Sequence, residues 1–244
     1  MLLGRVLTAT GPRTVRVDGD RLLARGDLDC ASVEVEPAPD ADDPVTGAAL
    51  APCAPTLVVG IAQNGPGHAS PVQAWLKSPR TVTGPDAEVR VRRDAGSTVA
   101  EAEIAVVIGR DTTGLTAENA HDYVLGITAV NDLTSPDRAL RDPRNFESKS
   151  GQGYTPLGPW IDTDLSIDDD LPMELRVDGE VRARTSAGRL PMSPRACLAY
   201  VAGWTTLGPG DVVMMGAPFS QSPVRPGEDV EVVVGHLRLR TRLR

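Results

Sequence analysis

The sequence predicts a mostly β protein of the α+β class with a few helices, and three features of the chain lead there. First, its apolar runs, among them LVVGIA, AEVRVRR, VAEAEIAVVIGR, YVLGITAVNDL, MELRVDGEVRAR, DVVMMGAP and DVEVVVGHLRLRTRL, are short, rich in β-branched residues and closed by Gly or Pro, as strands are. Second, helical periodicity is confined mainly to 116–126 and 193–206, with Thr116 and Ser193 as the expected N-caps. Third, residues 236–244 (HLRLRTRLR) alternate Leu and Arg, the pattern of a half-buried strand with its Arg face in water.

Residues 2–37 alternate short Val/Leu/Arg segments with the turn signals GPR, DGD and ARGD, which predicts a small meander of strands. From Pro37 to Pro55 the chain turns to Pro, Asp and Ala, a composition that buries little and reads as a linker or surface loop. The expected organisation is therefore a small β-rich module over 1–50 and a larger domain over 55–244, which a chain of 244 residues has the length to support. No internal repeat and no heptad pattern occurs.

Composition narrows the function. With 41% hydrophobic and 24% charged residues the chain has ordinary globular content. A formal net charge of −8 argues against nucleic-acid binding, which clustered Lys and Arg drive. Cys30, Cys53 and Cys197 are far apart, form no CxxC or Cys/His cluster, and read as small core residues in a reducing compartment. No stretch approaches the ~18 apolar residues of a membrane span, so a soluble, cytoplasmic protein without membrane or nucleic-acid partners is expected. GIAQNGPG lacks the spacing of a nucleotide loop, and Ser150, Ser186 and Ser220 lack a G-x-S-x-G elbow. Trp75, Trp160 and Trp204 read as packing residues.

The chemistry-bearing feature is an acid pair. In TVAEAEIAVVIG, Glu101 and Glu103 stand two apart at the start of a strand, so both carboxylates share one face about 6.5–7 Å apart along the backbone. Two like charges leading into an apolar run cost stability unless a positive group compensates them, and a hard divalent cation such as Mg2+ or Mn2+ does so economically. Asp132, at the end of YVLGITAVN, is placed to be a third ligand. The spacing alone equally allows a solvated edge strand with Asp132 capping a turn.

Beyond spacing, several segments resemble the fumarylacetoacetate hydrolase family: VVGIAQNGPGH, AWLKSPRTVTGPDAEV with its Lys-x-Pro, AEAEIAVVIGRD with the acid pair, GITAVNDLT with Asn-Asp, SKSGQGYTPLGPWI, and LGPGDVVMMGAP. Their order and spacing hold from about residue 57 to the end of the chain. The resemblance implies a mixed β-roll core, a homodimer, Mg2+ or Mn2+ on Glu101, Glu103 and Asp132, and Lys149 beside a bound 2-oxo acid or 1,3-dicarbonyl substrate. Lysine occurs only at Lys77 and Lys149, the other 23 of the 25 basic residues being Arg, and both lysines lie in resembling segments. A chain so biased to Arg keeps Lys where a compact ammonium is required.

The chain also departs from the family pattern. His68 is expected as a catalytic base, yet Pro71 stands where the family has a Glu to orient it. Pro136 and Ala139 replace a usual Arg and Gln, Gln152 replaces an Asp, and Ala217 replaces a Thr, leaving Arg138 and Gln152 as the expected substrate contacts. Two functions fit: an enzyme working through an enolate, by C–C hydrolysis, decarboxylation or, alternatively, isomerisation, hydration or a tailoring reaction; or a catalytically impaired binding subunit. Three mutually repelling acids favour the enzyme.

Overall fold

The computed structural model describes residues 1–24, 44–68 and 71–244. The chain begins with a meander of β1 (Leu2–Thr8), β2 (Gly11–Asp18) and β3 (Arg21–Ala24), and returns along β1 as β4 (Ala48–Ala49). Next come β5 (Val58–Ala62) and β6 (Gln73–Lys77), then β7 (Val82–Thr83), β8 (Ala87–Val89) and the long β9 (Thr98–Ile108). After β10 (Val124–Asn131), two single-turn helices, α1 (Pro136–Ala139) and α2 (Phe146–Lys149), lead into β11 (Thr155–Asp162). The hairpin of β12 (Pro172–Val177) and β13 (Glu180–Ser186) precedes α3 (Pro194–Ala202). The chain ends in β14 (Val212–Met214), β15 (Gln221–Val224), β16 (Asp229–Val234) and β17 (Leu237–Leu243).

A 12-stranded sheet runs in the order β3-β2-β1-β11-β10-β9-β14-β5-β6, with β15, β4 and β7 attached to β9, β1 and β11. A second, 5-stranded sheet runs β13-β12-β16-β17-β8. The pairs β14/β5, β11/β7 and β17/β8 are parallel within otherwise antiparallel sheets, so the arrangement is mixed, as the sequence predicted.

β9 explains why its sequence is apolar on successive residues. Ala100, Ala102, Ile104, Val106 and Ile108 enter the core between the two sheets, with Leu175, Val177, Val230, Val232 and Leu239. Ala105 and Val107 enter a second core on the other face, with Val58, Val130, Leu157, Val212 and Met214. A strand buried on both faces loses the alternation of a half-wet strand. Glu101 and Glu103 continue the second face toward the start of β9, where polar groups replace this core.

The meander joins the large sheet through β1, with Leu2 opposite Asp162 and Leu3 opposite Ile161 on β11. The described end of the expected linker is not a solvated loop: Pro44 bridges to Leu23, Ala48–Ala49 form β4, and Ala51 and Cys53 are buried in the second core. Its remainder, 37–43, lies outside the described residues, as does Cys30. Cys197 is buried as expected, and burial pushes its thiol up to about 12, with the charge of Glu103 adding to the shift. Among the described residues no helix is long and apolar enough to cross a membrane.

Ser193 caps α3 as predicted, accepting from Ala196 N at 3.3 Å with Pro194 in the first turn. The helix expected over 116–126 is corrected to a 3-10 turn at Ala120–Tyr123, because β10 claims the chain from Val124, opposite Ile108. Thr116 caps nothing there; its N–H instead donates to Asn119 Oδ1 at 2.7 Å. Trp160 packs over Gly4, where a Cβ would lie 2.3 Å from the ring, but Trp204 is 81% exposed and is no packing residue.

β17 tests the alternation argument. Leu237, Leu239 and Leu243 are buried, while Arg238 and Arg240 are exposed and pair with Glu231 and Asp229 on β16. Leu239→Ala is expected to destabilise the protein by about 2–5 kcal/mol through lost burial and a residual cavity. Arg240→Ala is expected to leave the urea midpoint unchanged within error, since exposed pairs contribute little. Urea unfolding followed by circular dichroism checks both.

Candidate metal centre

The three predicted acids converge. In the β9/β10 register Asn131 lies opposite Ala102 and Val130 opposite Glu103, and Asp132 N donates to Glu101 O at 2.9 Å. This brings Asp132 beside the acid pair, and one oxygen from each of Glu101, Glu103 and Asp132 lies within 4.8 Å of the others. Glu103 and Asp132 are buried and Glu101 is partly so.

Fixed donors surround the acids. Gly216 N donates to Glu103 Oε2 at 2.7 Å. Gly216 has φ 97, and a Cβ there would also meet Asn64 at 3.0 Å, so only glycine brings this N–H so close without strain. Lys149, the last residue of α2, donates to Glu101 Oε2 at 2.7 Å and also to Asp132 Oδ2. Lys77, the last residue of β6, donates to Asp132 Oδ1 at 2.5 Å and to Tyr154 O at 2.7 Å.

The electrostatics follow from burial and crowding. Burial, with the neighbouring charges of Asp132 and Glu101, pushes the Glu103 carboxyl well above the usual range. Burial would also raise Asp132, but Lys149 and Lys77 outweigh it and hold Asp132 below its ordinary value. Burial opposes the charge on Lys149, yet Asp132, Glu101 and Glu103 together raise it. At Lys77 burial prevails over Asp132, and its affinity for a proton is lowered.

The donor set fits a hard divalent cation. It consists of carboxylate oxygens alone, and Glu101 Oε1 and Glu103 Oε1 have no hydrogen bond among the described residues. Three carboxylates against two ammonium groups leave a formal deficit of one positive charge, which a cation would cover.

The acids open onto a cavity of about 260 Å³. His68 stands on its rim, exposed, and Pro71 leaves it without the expected carboxylate partner. Lys149 lines it, with its Nζ 5.4 Å from the centre of the Trp75 ring. Trp75, predicted only to pack, is thus part of the wall; Gly60 admits the ring, since a Cβ there would lie 2.4 Å from it. Ala217 lines the cavity with a methyl group.

Two predicted substrate contacts stand elsewhere. Arg138 is absent from the lining and is engaged by Glu147 at 3.3 Å and by the Asp94 carbonyl. Gln152 is exposed in the turn after α2, also outside the lining. Both follow closely after the acids or Lys149 in sequence, but neither lines the cavity. Asn64, Asn145 and Gln221, not singled out as site residues from the sequence, line the cavity. Asn64 is buried and bonds the Met215 carbonyl at 2.8 Å and Met192 N at 2.8 Å, tying the loop after β5 to the segments around it. Its signal was the Asn directly after an apolar strand in GIAQNG. Gln221 is set by pairing opposite Glu101, which no local pattern reveals.

Comparison with known proteins identifies the family. The family profile described as fumarylacetoacetate (FAA) hydrolase C-terminal matches residues 53–244. Protein Rv2993c of Mycobacterium tuberculosis is 31% identical over 196 residues, covering 76% of this chain and 74% of that protein. The oxaloacetate tautomerase YisK of Bacillus subtilis is 37% identical over 147 residues, 59% of this chain and 49% of its own. The crystal structure of 5-carboxymethyl-2-hydroxymuconate delta-isomerase from Mycobacterium smegmatis superposes with a TM-score of 0.87 at 27% identity, covering 100% of this chain and 99% of that one. The chain belongs to the fumarylacetoacetate hydrolase family and is an enzyme of that mixed β fold.

Proposed function

We propose that this enzyme holds one Mg2+ or Mn2+ ion on Glu101, Glu103 and Asp132 and converts a 2-oxo acid or 1,3-dicarbonyl substrate through an enolate. The observation that carries this reading is the convergence of three carboxylates, two of them buried, at the floor of a cavity also lined by Lys149. When bound, such an ion supplies Lewis acidity toward the oxo-carboxylate end of the substrate.

The chain's own residues do the rest. Glu103 is fixed by Gly216 and Asp132 by two lysines, so the acids are held in place before any ligand arrives. Lys149 keeps its charge and sits where negative charge would develop on a substrate oxygen, which its remaining N–H would meet. Trp75 walls the same space and limits water around that charge.

Enolate chemistry that needs no activated water, decarboxylation or tautomerisation, fits best, because His68 lacks the carboxylate that would orient it as a base toward water. The tautomerase and isomerase among the similar proteins support this choice. C–C bond hydrolysis is the second reading, favoured by the presence of His68 on the same cavity.

Two outcomes are expected. Glu103→Gln removes a carboxyl whose proton affinity is raised on folding, so ionising it costs folded stability as pH climbs above the ordinary carboxyl range. The metal-free variant should melt about 2–4 °C above wild type for a gain on the order of 1 kcal/mol, more at pH 8 than at pH 5, while losing the stabilisation that Mn2+ gives wild type. Scanning fluorimetry with and without Mn2+ reads both effects. Lys149→Met should lower kcat for enolisation or decarboxylation of a 2-oxo acid such as oxaloacetate about 100-fold or more, and His68→Gln should leave it within about threefold. Steady-state assays with Mn2+ and with a chelator decide; turnover indifferent to the chelator and to Lys149→Met contradicts the reading.

A further inference from the structure

Lys77 is a fully buried cation, its side chain 0% exposed, and it is not among the residues that line the cavity. It therefore touches no substrate. Its ammonium instead spans two acceptors on different elements: Asp132 Oδ1 at 2.5 Å and the Tyr154 carbonyl at 2.7 Å. That carbonyl is itself fixed, because it also accepts from Leu133 N at 3.1 Å, and Tyr154 is a buried residue whose hydroxyl accepts from Arg92 N at 2.9 Å. From below, Lys77 is held by its place opposite Val58 on β5 and by the capped turn that begins at Ser78.

Asp132 is thus gripped from two sides that differ in kind. Lys149 reaches Oδ2 from the cavity wall, where substrate and solvent compete for it. Lys77 reaches Oδ1 from the closed interior. A carboxylate turns about a broad, two-fold terminal torsion unless something holds it. We infer that Lys77 is a positioning residue, which fixes the Asp132 carboxylate so that Oδ2 is presented to the cavity for metal binding.

Electrostatics and positioning make opposite predictions here. As a charge, Lys77 repels an incoming cation, so removing it would tighten metal binding. As a support for a ligand, its removal would weaken binding by the 10- to 100-fold typical of lost outer contacts around metal ligands. The second effect wins at Asp132. It also accounts for lysine here in a chain that uses Arg almost everywhere else: a compact ammonium, fully buried, bonds both Asp132 and the Tyr154 carbonyl.

The inference rests on the metal reading above, and the test separates the two. Mn2+ affinity is measured by calorimetry for full-length wild type, Lys77→Met and Lys77→Arg, with the melting temperature of each metal-free protein measured alongside. Lys77→Gln, which retains an N–H donor, replaces the apolar variant if that one does not fold. Lys77→Met should bind Mn2+ at least 10-fold more weakly than wild type, and Lys77→Arg should not restore affinity. Equal or tighter Mn2+ binding by Lys77→Met, or a lowered melting temperature with no change in affinity, overturns the positioning role. A wild-type protein that binds no Mn2+ overturns the metal reading itself.

Discussion

Everything in this molecule that bears on function depends on one electrostatic constraint: three carboxylates crowd the end of a buried sheet face and must be compensated there. Glu101, Glu103 and Asp132 present oxygens within 4.8 Å of one another, two of the residues buried. Uncompensated, such a group would cost several kcal/mol in desolvation and repulsion. The fold responds with two lysines, a backbone N–H at Gly216 and a raised proton affinity at Glu103. These devices hold the acids in place, and when Glu103 is ionised three carboxylates face two ammonium groups, a balance that a cation would complete.

The architecture serves this arrangement. β9 lies in the middle of the large sheet and is buried on both faces along its apolar half, so it is a rigid base from which its two acids project. Its register with β10 sets Asp132, and its pairing with β14 brings the Gly216 turn over Glu103. β6, at the edge of the same sheet, delivers Trp75 and Lys77 two residues apart: Trp75 lines the cavity and Lys77 grips Asp132 from the interior. The less regular elements complete the site, with Lys149 at the end of a single-turn helix and His68 on a loop. Strands set the positions of the acids, and Lys149 and His68 come from shorter, less regular segments.

How much of this was legible in the sequence follows from the range of each interaction. Glu101 and Glu103 were readable because a strand puts alternate residues on one face, and β17 because Arg alternates with Leu or Thr along it. Ser193 announced α3 through a local cap. By contrast, the segment 116–126 looked helical by itself, and only the pairing of Val124 with Ile108, 16 residues earlier, made it a turn and a strand. Arg138 and Gln152 were chosen for closeness in sequence to site residues, which says nothing about the direction in which a turn sends the side chain. Asn64 and Gln221 are set by long-range packing and pairing. The burial of Lys77 was equally hidden, since a lysine at the end of a short edge strand usually reaches into water.

The chain belongs to the fumarylacetoacetate hydrolase family, and its cavity is lined by the three acids together with Lys149, His68, Trp75, Asn145 and Gln221. The central claim is that the carboxylate cluster is a metal centre. Anomalous diffraction from a crystal soaked in Mn2+ tests it most directly. The account predicts one peak per chain, about 2.0–2.3 Å from oxygens of Glu101, Glu103 and Asp132, as hard cations bind carboxylates. A map without a peak there at millimolar Mn2+, with Lys149 still spanning Glu101 and Asp132, would contradict it.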